Sequence, residues 1–171
     1  MPKTKWFDRR FDFAGSAPEL SAILERLRSA PERVAAAVAA VPDDALVTRL
    51  DGGWSVNENV GHLLDLEPLW AGRLEDIVNR EKVLREADLT NRKTHEANHN
   101  RVPIGGLLDG FRAARGAVLE RLATLGEEEF EKSSLHPRLE TPMRMVDLFF
   151  FVAEHDDHHL ERIGEIAAGV G

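Results

Sequence analysis

Apolar residues recur every three or four positions in four long segments of this chain, a spacing that places them on one face of an α-helix. The segments run from about Pro18 to Val41, from Ser55 towards Arg80, from Pro103 to Leu125 and from Thr141 to Gly169. No segment shows the sustained apolar–polar alternation of a β-strand. The pattern therefore predicts an all-α fold, and four amphipathic helices of this length pack most readily as a four-helix bundle.

Capping residues and prolines mark the ends of the predicted helices. Ser55 stands three residues before Glu58, which is the spacing of a capping box at the start of the second helix. Pro142 suits the first position of the fourth helix, because the amide at that position has no partner within the helix. Pro31 and Pro68 lie inside the first and second segments and predict a break or a kink in each.

The composition is typical of one globular domain, which we take to span residues 1–171. Hydrophobic residues make up 43% of the chain, charged residues make up 30%, and the net charge is −8. This charge disfavours binding to nucleic acids and anionic membranes, and no apolar run is long enough to cross a bilayer. Because the N-terminal residues lack the apolar core of a signal peptide, we expect a cytoplasmic protein that acts on a small molecule.

Two histidines on the fourth helix are the first candidates for a metal site. His155 and His159 are four residues apart, so they share one helix face with the apolar residues that point into the bundle. Imidazoles directed into a core either form hydrogen bonds or bind a ligand. Since the chain has no cysteine, a transition metal would be bound by imidazole and carboxylate groups. The alternative is a pair of hydrogen-bonded core residues.

His62, near the start of the second helix, is the best candidate for a third ligand, and its height along the bundle constrains the topology. It lies roughly 10 Å from the start of its helix, whereas His155 and His159 lie roughly 20–25 Å from the start of theirs. The three side chains reach one another only if the second and fourth helices run antiparallel. This requirement predicts an up-down-down-up bundle with a long crossover between the second and third helices.

The segment from His95 to His99 matches the H-E-x-x-H pattern of zinc peptidases. Its flanking residues are polar, and no apolar face accompanies the two histidines. We therefore favour a polar connection near the mouth of the bundle, where His99 or Asn98 would contact a substrate. His136 lies in a similar connection and is either a substrate contact or exposed to solvent.

Two segments carry a resemblance to a known family. The residues from Trp54 to Leu63 (WSVNENVGHL), together with those from Glu154 to His159 (EHDDHH), resemble the DinB-like, or YfiT-like, family of metal-dependent enzymes. The resemblance implies an up-down-down-up four-helix bundle, commonly a homodimer, with one divalent metal on His62, His155 and His159. Zinc, nickel and manganese are the metals associated with the family, and we favour zinc or nickel.

A metal on three neutral imidazoles keeps open coordination positions, which is typical of catalytic sites. We expect it to activate water, as in a hydrolase, or a low-molecular-weight thiol, as in an S-transferase, since the family includes both kinds of member. Glu58 and Asp65 lie about one helical turn on either side of His62 and are candidates to orient it or to act as a general base; the alternative is simple exposure to solvent. The other functional hypothesis is a non-enzymatic metal-binding or ligand-sensing homodimer.

Overall fold

The computed structural model describes residues 5–13 and 19–170, and four long helices make up most of it. These helices are α1 (Leu20–Ala39), α2 (Val56–Val78), α4 (Ile104–Leu122) and α6 (Met145–Gly169). The connections contain the short helices α3 (Arg92–Glu96) and α5 (Glu127–Glu131) and the strands β1 (Ser133–Leu135) and β2 (Pro142–Arg144). The predicted four-helix bundle is confirmed, with the addition of a small antiparallel two-stranded sheet.

Side-chain contacts give the directions of the helices. Along α2, Asn59 contacts His159 and Trp70 contacts Phe151, so α2 and α6 run antiparallel. The ion pairs that join α2 to α4 follow the same order along both helices, so these two helices are parallel. The ion pairs that join α1 to α6 also follow the same order along both helices, so these two helices are parallel as well. The helices therefore follow an up-down-down-up order. Residues 79–103 connect α2 to α4, which run parallel.

Several predicted helix boundaries need correction. Helix α1 begins at Leu20, and Pro18, where we placed its start, lies outside the described residues. Pro31 does not end α1, because the buried proline ring contributes to the core that holds the helix together. Helix α2 likewise continues through Pro68.

The start of the last helix was also predicted wrongly. Pro142 pairs with Leu135 in the sheet, and α6 begins only at Met145. The hairpin is closed by Glu140, whose φ of 51° is left-handed, and the first turn of α6 is capped by the Asp147 carboxylate. An N-cap followed by proline was therefore the wrong interpretation of a short hairpin.

The core is formed by apolar residues from the inward faces of all four long helices. Its largest completely buried members include Phe111, Phe149, Leu27, Leu63 and Leu74. Among the described residues, no helix is long and apolar enough to span a membrane. The histidines of α2 and α6 interrupt this core on the face where the two helices meet.

Candidate metal centre

The predicted capping box fixes the start of α2. The Ser55 hydroxyl accepts a hydrogen bond from the Glu58 amide at 3.1 Å, and the Glu58 carboxylate accepts one from the Ser55 amide at 2.9 Å. Glu58 also forms an ion pair with Arg49. The hydrogen bonds from Arg49 and Ser55 hold the pKa of the Glu58 carboxyl group at about 2. The partners of Glu58 are thus Ser55 and Arg49, and it does not line the cavity described below. Its predicted catalytic role stays a prediction.

His62, His155 and His159 are brought together where α2 faces α6. One ring nitrogen from each lies within 4.8 Å of the others, and they are the one such cluster among the described residues. The ring centroids are 4.6 to 5.3 Å apart, and each residue is at least nine-tenths buried. Three imidazoles at this separation can place their nitrogen lone pairs on one ion.

Hydrogen bonds from the surrounding helices fix two of these rings. Nδ1 of His159 lies 2.9 Å from the amide oxygen of Asn59, and Nδ1 of His62 lies 3.1 Å from the Thr94 hydroxyl. The Asn59 oxygen is only an acceptor, and the Thr94 hydroxyl donates its proton to Asp65 at 2.9 Å. Both Nδ1 atoms therefore carry the proton, which leaves Nε2 of His62 and His159 as free lone pairs.

The third ring, that of His155, differs from the other two. Nδ1 of His155 is buried without a hydrogen-bond partner among the described residues, which is a costly arrangement for a polar atom. Burial lowers the pKa of all three imidazoles, that of His62 to about 4. The rings are thus neutral at physiological pH, the form that binds metals, and the donor set suits a divalent transition metal.

Asp65 connects this centre to the segment between α2 and α4. One carboxylate oxygen accepts hydrogen bonds from the Thr94 hydroxyl and from Nε2 of His99, the latter at 2.8 Å. The His99 ring packs so closely on Gly61 that a Cβ atom there would overlap it. Asp65 thus acts on His62 through Thr94, an arrangement that orients metal-binding histidines in other proteins.

The zinc-peptidase interpretation of His95 and His99 is ruled out by the backbone. Helix α3 ends at Glu96, and Asn98 adopts a left-handed φ of 56°, so the two histidines do not share a helix face. His95 is exposed, and His99 is buried against α2. The prediction that His99 or Asn98 contacts substrate also finds no support, because neither residue lines the cavity at the histidine cluster.

A cavity of about 610 Å³ opens onto the three histidines. Its wall near the cluster is aromatic: Trp54 lies 4.7 Å from His62, and Trp6 and Trp70 lie 4.9 and 5.7 Å from His155 between ring centroids. A cavity of this volume accommodates a small organic molecule. We call it the site cavity.

Sequence reasoning missed the buried charges. Arg115 is 1% exposed and donates to the carboxylates of Glu67 and Asp156, each of them 2% exposed. Arg73 is 2% exposed and lines the site cavity. His136, which the sequence left open as a substrate contact or a solvent-exposed residue, is also 2% exposed and lines this cavity, so the solvent-exposed alternative is wrong. A signal was present in the helical periodicity, since Arg73, Glu67 and Arg115 all fall on apolar stripes. Residue type alone does not single them out, because arginine and glutamate are mostly found at the surface.

Comparison with known proteins identifies the family. Residues 26–163 match the model of the DinB superfamily. The fold matches that of YfiT from Bacillus subtilis with a TM-score of 0.81 at 21% identity, covering 94% of this chain and 93% of that chain. YfiT is described as "a probable metal-dependent hydrolase with an unusual four-helix bundle topology". No match was found among curated proteins. The chain belongs to the DinB superfamily.

Proposed function

We propose that this protein is a metal-dependent hydrolase of small molecules, with one divalent ion on His62, His155 and His159. The observation that carries the proposal is the convergence of three buried, neutral imidazoles on one point at the wall of the site cavity. A divalent ion held there would supply an electrophilic centre that lowers the pKa of a coordinated water or thiol. The description of YfiT as a metal-dependent hydrolase supports the choice of water.

The chain's own residues would prepare the site in three ways. Asn59 and Thr94 accept the Nδ1 protons of His159 and His62 and thereby keep the opposite nitrogens available. Asp65 fixes the direction of the Thr94 hydroxyl and is a positioning residue. The rings of Trp6, Trp54 and Trp70 present an apolar wall, which would exclude bulk water from the reacting group.

Elemental analysis of purified protein tests the site. We expect about one equivalent of zinc or nickel, with manganese as the remaining candidate, and its loss in His155→Ala. His95→Ala is the matched control, because His95 is exposed on α3 and should leave the metal content unchanged. Metal that persists at full stoichiometry in His155→Ala would show that the ligands have been assigned wrongly.

A substrate screen then tests the reaction. Esters and amides would be offered without thiols, and electrophiles would be offered with several cellular thiols. Turnover of esters or amides that depends on His155 supports the hydrolase. Turnover only in the presence of a thiol would instead make the protein an S-transferase with a thiol cosubstrate, and turnover in neither arm would favour a metal-binding or ligand-sensing module.

Three expectations from the sequence remain predictions beside this proposal. They are a single domain over residues 1–171, a homodimer and a cytoplasmic location. Light scattering of the purified full-length chain would measure the oligomeric state directly. A monomer at micromolar concentration would contradict the homodimer.

A further inference from the structure

The site cavity contains a second polar region that the metal centre does not use. Arg73 on α2 and His136 and Arg138 in the β1–β2 hairpin line the same cavity as the three histidines. Arg73 and His136 are each 2% exposed, and Arg138 is half-buried. Two guanidinium groups and a buried imidazole therefore meet in one part of the cavity, away from the three histidines of the metal centre.

Arg73 is a buried cation that forms no ion pair with any described residue. Its Nε donates to the Arg85 carbonyl oxygen at 3.1 Å, and no described carboxylate lies within ion-pairing distance of it. The nearby carboxylate of Asp76 is paired with Arg85. Burial lowers the pKa of Arg73 to about 10, so the group is charged at neutral pH. Buried charges in proteins are normally paired, and Arg115 shows that arrangement elsewhere in this bundle.

His136 and Arg73 present donors to each other. The amides of Arg138 and Leu139 donate to Nδ1 of His136 at 3.2 and 3.1 Å, so the proton of the neutral ring lies on Nε2. Nε2 lies 3.1 Å from Nη1 of Arg73, which can only donate. No described residue supplies an acceptor between these two donors, and a negatively charged oxygen at this edge of the cavity would accept from both.

The remaining charges of the cavity indicate what kind of anion would fit. Arg138 stacks over Phe7, with its guanidinium carbon 5.5 Å from the ring centroid, and no described carboxylate pairs with it. Glu86 and Asp88 are exposed members of the lining. Their negative charge disfavours a doubly charged ligand, whereas a planar carboxylate can accept from a guanidinium through two oxygens.

We infer that Arg73, His136 and Arg138 form a carboxylate-binding subsite, so that the substrate of the proposed metal centre is a small molecule carrying a carboxylate. Trp70 links the two regions, since its ring lies 5.9 Å from the Arg73 guanidinium carbon and 5.7 Å from the His155 ring. The ligand's apolar part lies along Trp70 and Phe151, between its carboxylate and the metal centre. This inference rests on the proposed function for the reacting end of the substrate, but the anion subsite is testable without it.

The test measures binding of ω-phenylalkanoates of increasing chain length and of their uncharged amides, by tryptophan fluorescence and calorimetry. Full-length protein is used both as purified and after removal of metal by a chelator, because a carboxylate could otherwise bind the ion itself. We expect at least one acid to bind metal-free protein about tenfold or more tightly than its amide, the effect of one charge-assisted hydrogen bond. Equal binding of every acid and its amide would overturn the inference.

Substitutions test whether the preference for the acid over the amide arises at the proposed subsite. Arg73→Met should abolish the preference for the acid, and Arg73→Lys should restore part of it because the charge returns without the planar fork. Arg162→Met is the matched control: Arg162 lines the same cavity but is paired with Glu165 at 3.0 Å, so the preference should persist. If Arg73→Met fails to fold, Arg138→Gln tests the assignment instead. It should weaken acid binding several-fold.

Two outcomes would refute the assignment to these residues. The first is a preference for the acid that is undiminished in Arg73→Met or in Arg138→Gln. The second is a preference that is lost equally in Arg162→Met. Metal content is measured on each variant. Full metal content with loss of the acid preference separates the subsite from the metal centre, so a failure of one proposal would not be mistaken for a failure of the other.

Discussion

The buried cluster of Arg115, Glu67 and Asp156 predicts a large and pH-dependent loss of stability in Arg115→Met. The guanidinium donates to both carboxylates at 2.6 Å and also to the Leu27 carbonyl oxygen, so it joins α4 to the other three long helices. Methionine approximates the volume but removes the one cation among the described residues that directly contacts the two acids. Both carboxylates would then be buried without a counterion.

The magnitude follows from what remains after the substitution. Removing one partner of a buried ion pair typically costs about 3–5 kcal/mol. Burial already raises the pKa of Glu67 to about 6 despite Arg115, and loss of the cation would raise it further. A carboxyl group with a raised folded-state pKa stabilises the fold at low pH and loses that contribution as the pH rises. The loss of unfolding free energy in Arg115→Met should therefore be greatest at pH 7 and smaller at pH 5 by about 1–3 kcal/mol.

Urea unfolding of metal-free protein at both pH values, followed by circular dichroism, measures this loss. The double variant Glu67→Gln/Arg115→Met should be more stable at pH 7 than Arg115→Met, because one of the two uncompensated charges is gone. Arg112→Met is the matched control on the same helix, since its ion pairs are at the surface, where such pairs contribute little to stability. A loss below about 1 kcal/mol, or one that does not change with pH, would refute this reasoning.

Three further perturbations test the metal centre and its support. Thr94→Val removes the acceptor for the His62 Nδ1 proton and should weaken metal binding about 10–100-fold in a chelator competition assay, whereas Thr94→Ser should retain it. Gly61→Ala places a methyl group in the His99 ring and should cost about 1–3 kcal/mol on urea unfolding; Gly116→Ala, where the methyl meets nothing, should not destabilise. In metal-free protein, burial lowers the pKa of His62 from 6.5 to about 4, so its neutral ring stabilises the fold at neutral pH and loses about 3 kcal/mol of that contribution as the pH falls from 6.5 to 4. His155 and His159 add losses of the same sign, and in a pH series of urea unfolding His62→Gln should reduce the combined slope.

The helices and the histidine cluster could be predicted because both follow from periodicity along one segment. The capping box of Ser55 and Glu58 is local, and it is present in the structure. The convergence of His62 with His155 required only the rise per residue and a choice of helix direction. A single sequence is enough to predict features of this kind, which depend on residues close in the chain or on helix geometry.

The features that were missed depend on partners distant in the chain. Nothing near Arg115 indicates that Glu67 and Asp156 will compensate its charge, so its residue type suggested exposure. His136 is buried because a short hairpin folds its ring against Arg73, and the hairpin itself was taken for the start of a helix. The break in the His95–His99 motif arises from the left-handed conformation of Asn98, which asparagine tolerates but does not require.

The positions of the three histidines in the chain would make the proposed metal a cross-link between distant segments. His155 and His159 are neighbours on α6, but His62 joins them only after α2 has docked. An unfolded chain offers at most a two-histidine chelate, so the ion should bind the native state far more tightly. At a free metal concentration one hundred times the dissociation constant, such selectivity raises native-state stability by about 2.7 kcal/mol. With the proposed metal centre, the melting temperature of this protein would therefore rise with the concentration of free metal as well as depend on the sequence.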